Sequence, residues 1–232
     1  MTIPGDRVSR GWSMGKRSSR IYAFTIAREW LFATLSRVVW GADVRPMYRE
    51  IARLKELPPG TRVLDVPCGS GVAFRGLTAD VAGQYVAADV SPFMLEQARG
   101  EQARRGLAGI TFVETYVEHM PFDDGAFDLC LSYNGLHCVP DPTAALAEMA
   151  RVMRPGGRLQ GTVVVSGGSA LAATAIKNFQ RTDQFGTVGS VDDIRQWLSD
   201  AGFSAIQLGH EGAYVFFHAE KPARRHTGLD WC

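Results

Sequence analysis

The chain has almost no net charge: 25 Lys/Arg stand against 24 Asp/Glu, a formal balance of +1. That excludes the broad basic face a general nucleic-acid binder needs, so no nucleic-acid partner is expected. Cysteine is sparse. Cys68, Cys130, Cys138 and Cys232 form no Cys-x-x-Cys pair and no zinc-like spacing, and in a chain of this length they read as free thiols of a reducing compartment. The five histidines lack paired ligand spacing and no carboxylates cluster with them, so no metal is expected. Repeats and low-complexity tracts are absent. So is any run of roughly 18 nearly uncharged apolar residues, the minimum for a spanning helix. The stretch Ile21–Trp40, preceded by Arg10, Lys16, Arg17 and Arg20, imitates a secretory leader. However, Arg28, Glu29 and Arg37 interrupt it and no small-residue cleavage site follows. The expected location is cytoplasmic, with membrane association left open.

What remains is an ordinary globular composition, 46% apolar and 21% charged over 232 residues, which rules out disorder and fits one α/β domain. The charge is unevenly spread. Residues 1–58 hold 11 Lys/Arg and 5 Asp/Glu, and the remainder holds 14 and 19. A basic N-terminal segment thus precedes a mildly acidic body.

From Thr61 onward short apolar runs alternate with longer helical patterns, the signature of βαβ units and a parallel sheet. Strands are expected at Thr61–Asp65, Gln84–Ala88, Ile110–Glu114, Phe127–Ser132 and Arg158–Val165. Helices are expected at Val72–Val81, Ser91–Gly106, Pro142–Arg151 and Val191–Gly202, with a turn at Arg154–Gly157. Ser91 and Pro92 suit the cap and first position of their helix. Phe203–Leu208 and Ala213–Ala219 read as a closing hairpin. Residues 1–20 read as loosely structured. Ile21–Val39, drawn as one helix, keeps only a narrow polar stripe of Thr25, Arg28, Glu29 and Ser36, with Phe32 inside it. Such a helix buries more than one side, against the domain and against an acceptor, a second copy or a membrane surface.

The strongest chemical signal is Val63–Gly71, VLDVPCGSG. An apolar strand ends in an acid, Asp65, and a small-residue turn with Cys68, Gly69 and Gly71 opens the next segment. Glycines there let backbone N–H groups approach a ligand closely, and the acid suits a cationic group on it. Asp89 ends the second strand 20 residues after Gly69, where a carboxylate can take both hydroxyls of a ribose. A dinucleotide fold asks for a third small residue where Phe74 stands, and needs no acid just before the loop. The acid-x-x-x-Gly-x-Gly order fits S-adenosylmethionine, which has an ammonium and a sulfonium but no pyrophosphate.

With these motifs the sequence resembles the class I S-adenosylmethionine-dependent methyltransferases, in particular the branch of the ubiquinone/menaquinone-biosynthesis enzymes. The resemblance runs from about Pro58 to Pro222. VLDVPCGSG is similar to the family's first motif and YVAADVSPFMLEQAR to its second. EHMPFDDGAFDLCLSYNGLHCVPDP resembles its LPF…SFD…LHHVPDP stretch, and RVMRPGGRL its turn into strand five. The resemblance implies an α/β, Rossmann-like doubly wound sheet of about seven strands, mostly parallel with an antiparallel closing hairpin. It also implies three parts: an N-terminal helical lid (1–58), the cofactor-binding domain (59–222) and a tail (223–232). Carried over, Asp65, Cys68, Gly69 and Gly71 would surround the methionine part of S-adenosyl-L-methionine. Asp89 would bind the ribose, Val90 and Met94 the adenine face, and Ser132 and Tyr133 the amino acid group. Tyr116 and Val117 stand where the family has an Asp-Ala pair at the adenine edge. The Val117 N–H can still donate there, but the carboxylate acceptor is missing.

The implied reaction is an in-line displacement at a sulfonium methyl, in which orientation alone supplies up to about 7–11 kcal/mol. His137, after strand four at the carboxyl end of the sheet, is the candidate base, its alternative being a structural role at a helix start. His218, in an apolar strand, reads as a core histidine and His210 as a turn residue. The 21–40 helix and Ser166–Gly189 are expected to roof a pocket for a hydrophobic acceptor such as a quinol, polyketide, aromatic or lipid-like molecule. Two other readings stand beside this one: a scaffold that binds the cofactor without transfer, and a dinucleotide oxidoreductase.

Overall fold

The structure, a computed structural model, describes residues 16–223. Seven strands are β1 (Val63–Asp65), β2 (Tyr85–Asp89), β3 (Thr111–Glu114), β4 (Phe127–Tyr133), β5 (Met153–Val164), β6 (Ser204–Glu211) and β7 (Tyr214–Glu220). They form one sheet in the order β3-β2-β1-β4-β5-β7-β6. β1 to β5 pair in parallel and β7 runs antiparallel between β5 and β6, the Rossmann-like sheet with a closing hairpin that the sequence implies. The inner strands are apolar on both faces because both faces are covered. Val63, Ala87, Leu129 and Leu131 enter one core cluster, while Leu64, Ala88 and Cys130 enter the other, as the two-residue period of a strand dictates. Strand order reverses between β1 and β4, so their carboxyl ends open a crevice.

The helices are α1 (Lys16–Ile26), α2 (Glu29–Val39), α3 (Arg45–Ala52), α4 (Ala79–Ala82), α5 (Pro92–Arg105), α6 (Pro142–Val152), α7 (Ala170–Arg181) and α8 (Val191–Asp200). Ser91 caps α5 as expected, its Oγ accepting from the Met94 N–H, and Gly106 closes it in the left-handed conformation.

Several expectations are corrected. The 21–40 helix is two helices: Arg28 is extended (φ −112°, ψ 93°). The Ile26 carbonyl accepts from the Tyr48 hydroxyl at 2.8 Å and the Ala27 carbonyl from Arg75 at 2.9 Å. Tertiary donors thus take up the carbonyls at the break. Phe32 is not on a wet stripe but wedged edge-on between the rings of Tyr22 and Tyr48. Residues 16–20, expected to be loose, are the first turns of α1. The helix expected over Val72–Val81 is a short 3₁₀ segment, Val72–Gly76, followed by α4. Gly76 lies flat on α3, where a Cβ would stand 1.8 Å from the Ile51 carbonyl oxygen. The turn at Arg154–Gly157 exists as an excursion within β5: Phe127 pairs Met153 and Leu129 already pairs Arg158.

α1 to α3 do not stand apart from the sheet. Ile26, Ala33, Met47 and Ile51 share a core cluster with Val63, Ala87 and Leu129. Residues 1–15 of the expected lid and nearly all of the expected tail lie outside the described residues. Among those described, no helix is long and apolar enough to cross a membrane.

Candidate active site

The crevice at the β1/β4 switch opens into a cavity of about 420 Å³, within the range of roughly 300–1,000 Å³ usual for small-molecule sites. Of the residues singled out from the sequence, Gly69, Asp89, Val90, Met94, Tyr116, Val117, Tyr133 and His137 border it. Asp65, Cys68, Gly71 and Ser132 do not; they back the loop that does.

Gly69 is left-handed (φ +52°) and its missing side chain leaves open space. Its N–H donates to Asp89 Oδ2 at 2.8 Å, while Ser91 N–H donates to Oδ1 at 2.9 Å. The loop after β1 and the end of β2 are thereby tied together through one buried carboxylate. Burial pushes Asp89 up to about 6. Asp65 sits deeper, accepting from the Tyr85 hydroxyl at 2.8 Å. Burial raises it to about 7, against the lowering effect of that hydrogen bond, and the charge of Asp89 adds to the rise. Of the two carboxyls only Asp89 borders the cavity, and a cation placed beside it would favour its ionised form. Gly71 serves packing: a Cβ would lie 2.7 Å from the Phe74 ring, and that fully buried ring meets Tyr85 and Phe112 edge-on. The third small residue of a dinucleotide loop is therefore replaced by a core aromatic. Cys68 is buried, its N–H donating to the Ala88 carbonyl. Burial raises its thiol well above the ordinary range, which is packing rather than nucleophile chemistry.

At the end of β4, Ser132 Oγ is buried with no hydrogen-bond partner among the described residues, and a Cβ on Gly135 would stand 2.5 Å from it. Tyr133 presents its ring to the cavity. Its hydroxyl donates to Glu50 Oε1 and accepts from Gln160 Nε2, both at 2.9 Å. His218 completes this group, 3.2 Å from Glu50 Oε2 and half-exposed. It is thus not a core histidine but a half-exposed partner of Glu50 on α3. His210 is exposed and contacts the Gly212 carbonyl.

His137 is buried against Phe185, with ring centroids 4.4 Å apart. Its Nδ1 accepts from the Val164 N–H at 3.1 Å, so the hydrogen of the neutral ring sits on Nε2. Nε2 has no hydrogen-bond partner among the described residues. Burial lowers the ring to about 3. The imidazole is a neutral donor at physiological pH.

Sequence reasoning missed the next residue. Asn134 is left-handed (φ +58°) at the rim of β4, where its backbone N–H donates to Thr162 Oγ1 and its Oδ1 accepts from the Tyr214 hydroxyl. Tyr22 of α1 also bonds to Asn134. The Asn-Gly pair at 134–135 was the available signal, since Asn tolerates this conformation, but Tyr22, Thr162 and Tyr214 are distant in sequence. The far wall is aromatic. Trp40 packs on Phe179 and Phe185, all within 6.2 Å between centroids.

Residues 64–160 match the family model described as Methyltransferase domain. The chain is 36% identical over 128 residues to the ubiquinone/menaquinone biosynthesis C-methyltransferase of Ectopseudomonas mendocina, covering 54% of this chain and 50% of that protein. It is 38% identical over 114 residues to phthiotriol/phenolphthiotriol dimycocerosates methyltransferase 1 of Mycobacterium ulcerans, covering 49% and 41%. The matched region is thus half or less of those relatives' length. The solved SAM-dependent methyltransferase of Thermotoga maritima superposes with a TM-score of 0.58 at 21% identity, over 85% of this chain and 98% of that one, which shows the shared fold. Over residues 64–160 the chain thus resembles methyltransferase domains, and its fold is the one shared with the S-adenosylmethionine-dependent class of these enzymes. Within that class it resembles the ubiquinone/menaquinone-biosynthesis branch.

Proposed function

We propose that the protein transfers a methyl group from S-adenosyl-L-methionine to an apolar small-molecule acceptor, leaving S-adenosyl-L-homocysteine. One observation carries the reading: a single cavity has the Gly69–Asp89 corner at one end and the Trp40–Phe179–Phe185 wall at the other. The bound cofactor would supply an activated methyl on a sulfonium. Asp89 accepts the ribose hydroxyls while remaining tied to Gly69 and Ser91. Val90 and Met94 cover the adenine, and Tyr116 and Val117 meet its edge. Asp65, Cys68, Gly71 and Ser132 hold the loop in shape from behind.

The acceptor lies against the aromatic wall, within reach of His137, which itself packs on Phe185. A ring neutral down to about pH 3 is not the base expected from sequence. Its Nε2–H instead donates to an acceptor oxygen and stabilises the charge that oxygen develops. That favours acceptors that ionise without a strong enzymic base, phenols and enolisable carbons, over neutral amines. The test is turnover with an acceptor panel, read as a product one CH₂ heavier. Methylation of phenols or enolisable carbons is the expected result. Methylation of amines alone would overturn the acceptor assignment. No methylation of any acceptor by protein that binds the cofactor would favour the scaffold reading.

A further inference from the structure

The largest exposed apolar side chains among the described residues cluster on three helices. Ile21 and Phe24 lie on α1, Trp30, Leu35 and Val38 on α2, and Leu171 on α7, with Trp30 70% and Val38 63% exposed. Their spacing makes stripes: Ile21 and Phe24 are three apart on α1, Leu35 and Val38 three apart on α2, and Trp30 and Val38 eight apart on one face of α2. Exposed apolar patches of this extent mark an interaction surface. Two of the six, Ile21 and Leu35, also border the cavity. The apolar surface is therefore continuous with the inside of the site.

The charge around it is one-sided. The stretches 19–39 and 170–181 carry five Lys/Arg and a single acid, Glu29; Arg20, Arg28, Arg37, Lys177 and Arg181 are all exposed, with Arg37 paired to Asp43 at 2.9 Å. The Arg28 guanidinium lies on the Phe24 ring, 3.6 Å from its centroid, which sets a cation and an apolar ring side by side. Exposed aromatic and aliphatic groups flanked by arginines are the composition of a helix pair that lies in the headgroup boundary of a membrane. A second copy of this chain would bring the same arginines against each other.

We propose that α1 and α2 dock on an anionic lipid bilayer and that the acceptor enters the cavity from the membrane, past Ile21 and Leu35. The delivery half of this proposal rests on the apolar-acceptor reading above. The docking half is tested without turnover, so the two can fail separately. The full chain, free of acceptor, is floated with vesicles of phosphatidylcholine alone and of phosphatidylcholine with phosphatidylglycerol, with tryptophan emission recorded alongside. The expected result is binding to the anionic vesicles, a blue shift of the emission, and weakening by salt as surface charges are screened. The triple variant Phe24→Ser, Trp30→Ser, Val38→Ser alters only exposed side chains outside the cavity. It should lose at least about tenfold in partitioning, with cofactor affinity unchanged as the control for folding. Equal flotation of wild type and variant, or no flotation of a wild type that binds cofactor, would overturn the proposal. So would a concentration-dependent dimer in which Trp30 is shielded from quencher without vesicles, which would assign the patch to a second copy.

Discussion

Replacing Asp89 by Asn separates what this carboxylate does for the fold from what it does for the ligand. Its two oxygens accept the Gly69 and Ser91 N–H groups at 2.8 and 2.9 Å, and it is almost wholly buried. Burial raises its folded value from the usual 3.8 to about 6. A raised carboxyl contributes stability that is complete below the unfolded value and is lost as pH rises through the folded one. The ligand-free wild type should therefore lose stability between about pH 4 and pH 6, by an amount on the order of 2–3 kcal/mol from this group. Asp65 pushes in the same direction up to about 7. Cofactor affinity should run the other way and rise through about pH 6, because only the ionised form is a strong acceptor for two hydroxyls. Asn cannot ionise. The amide still accepts from Ser91 but turns its NH₂ toward the Gly69 N–H, which costs about 1–3 kcal/mol of stability at low pH. Losing a charged acceptor costs the ligand about 1.5–3 kcal/mol, roughly tenfold or more in affinity. Thermal melts across pH and calorimetric titration with S-adenosylhomocysteine measure both. An Asn variant within about twofold of wild-type affinity, or one whose affinity keeps its rise through about pH 6, would refute the role of Asp89.

Other perturbations read out neighbouring features. Saturating S-adenosylmethionine should raise the melting temperature, since a ligand at about 100 times its dissociation constant adds about 2.7 kcal/mol; scanning fluorimetry checks this, with NAD giving no shift. The rate of the wild type should show no inflection from His137 near neutrality because its ring titrates at about 3, and a pH–rate profile measures it. His137→Ala should lower kcat and also cost about 1–3 kcal/mol of stability, because the Val164 N–H loses its acceptor. Gly76→Ala should destabilise by about 1–3 kcal/mol or more, since its Cβ would meet the Ile51 carbonyl oxygen; denaturant unfolding gives the number. Trp40→Ala should cost about 3–5 kcal/mol and raise the acceptor KM more than the cofactor dissociation constant, because Trp40 packs on Phe179 and Phe185 rather than on the loop.

Local chemistry made much of this protein legible along the chain. The apolar run into Asp65, the small-residue loop after it, Ser91 and Pro92 at the start of α5 and Asp89 twenty residues beyond Gly69 each act over a few residues or one βα unit. Their physics is backbone conformation, capping and strand period, and these depend on neighbours in sequence. Tertiary structure decided what depends on contacts between distant segments. Tyr48 and Arg75 take the carbonyls that break α1 from α2, and Ile51 flattens the segment at Gly76. The end of β5 fixes the tautomer of His137 through the Val164 N–H, which leaves Nε2 as the protonated nitrogen. Asn134 is held in its left-handed conformation among Thr162 and Tyr214, partners 28 and 80 residues away. A hydrogen bond between segments so far apart leaves no periodicity or motif in the chain, because either partner is unremarkable until the fold brings the two within 3 Å.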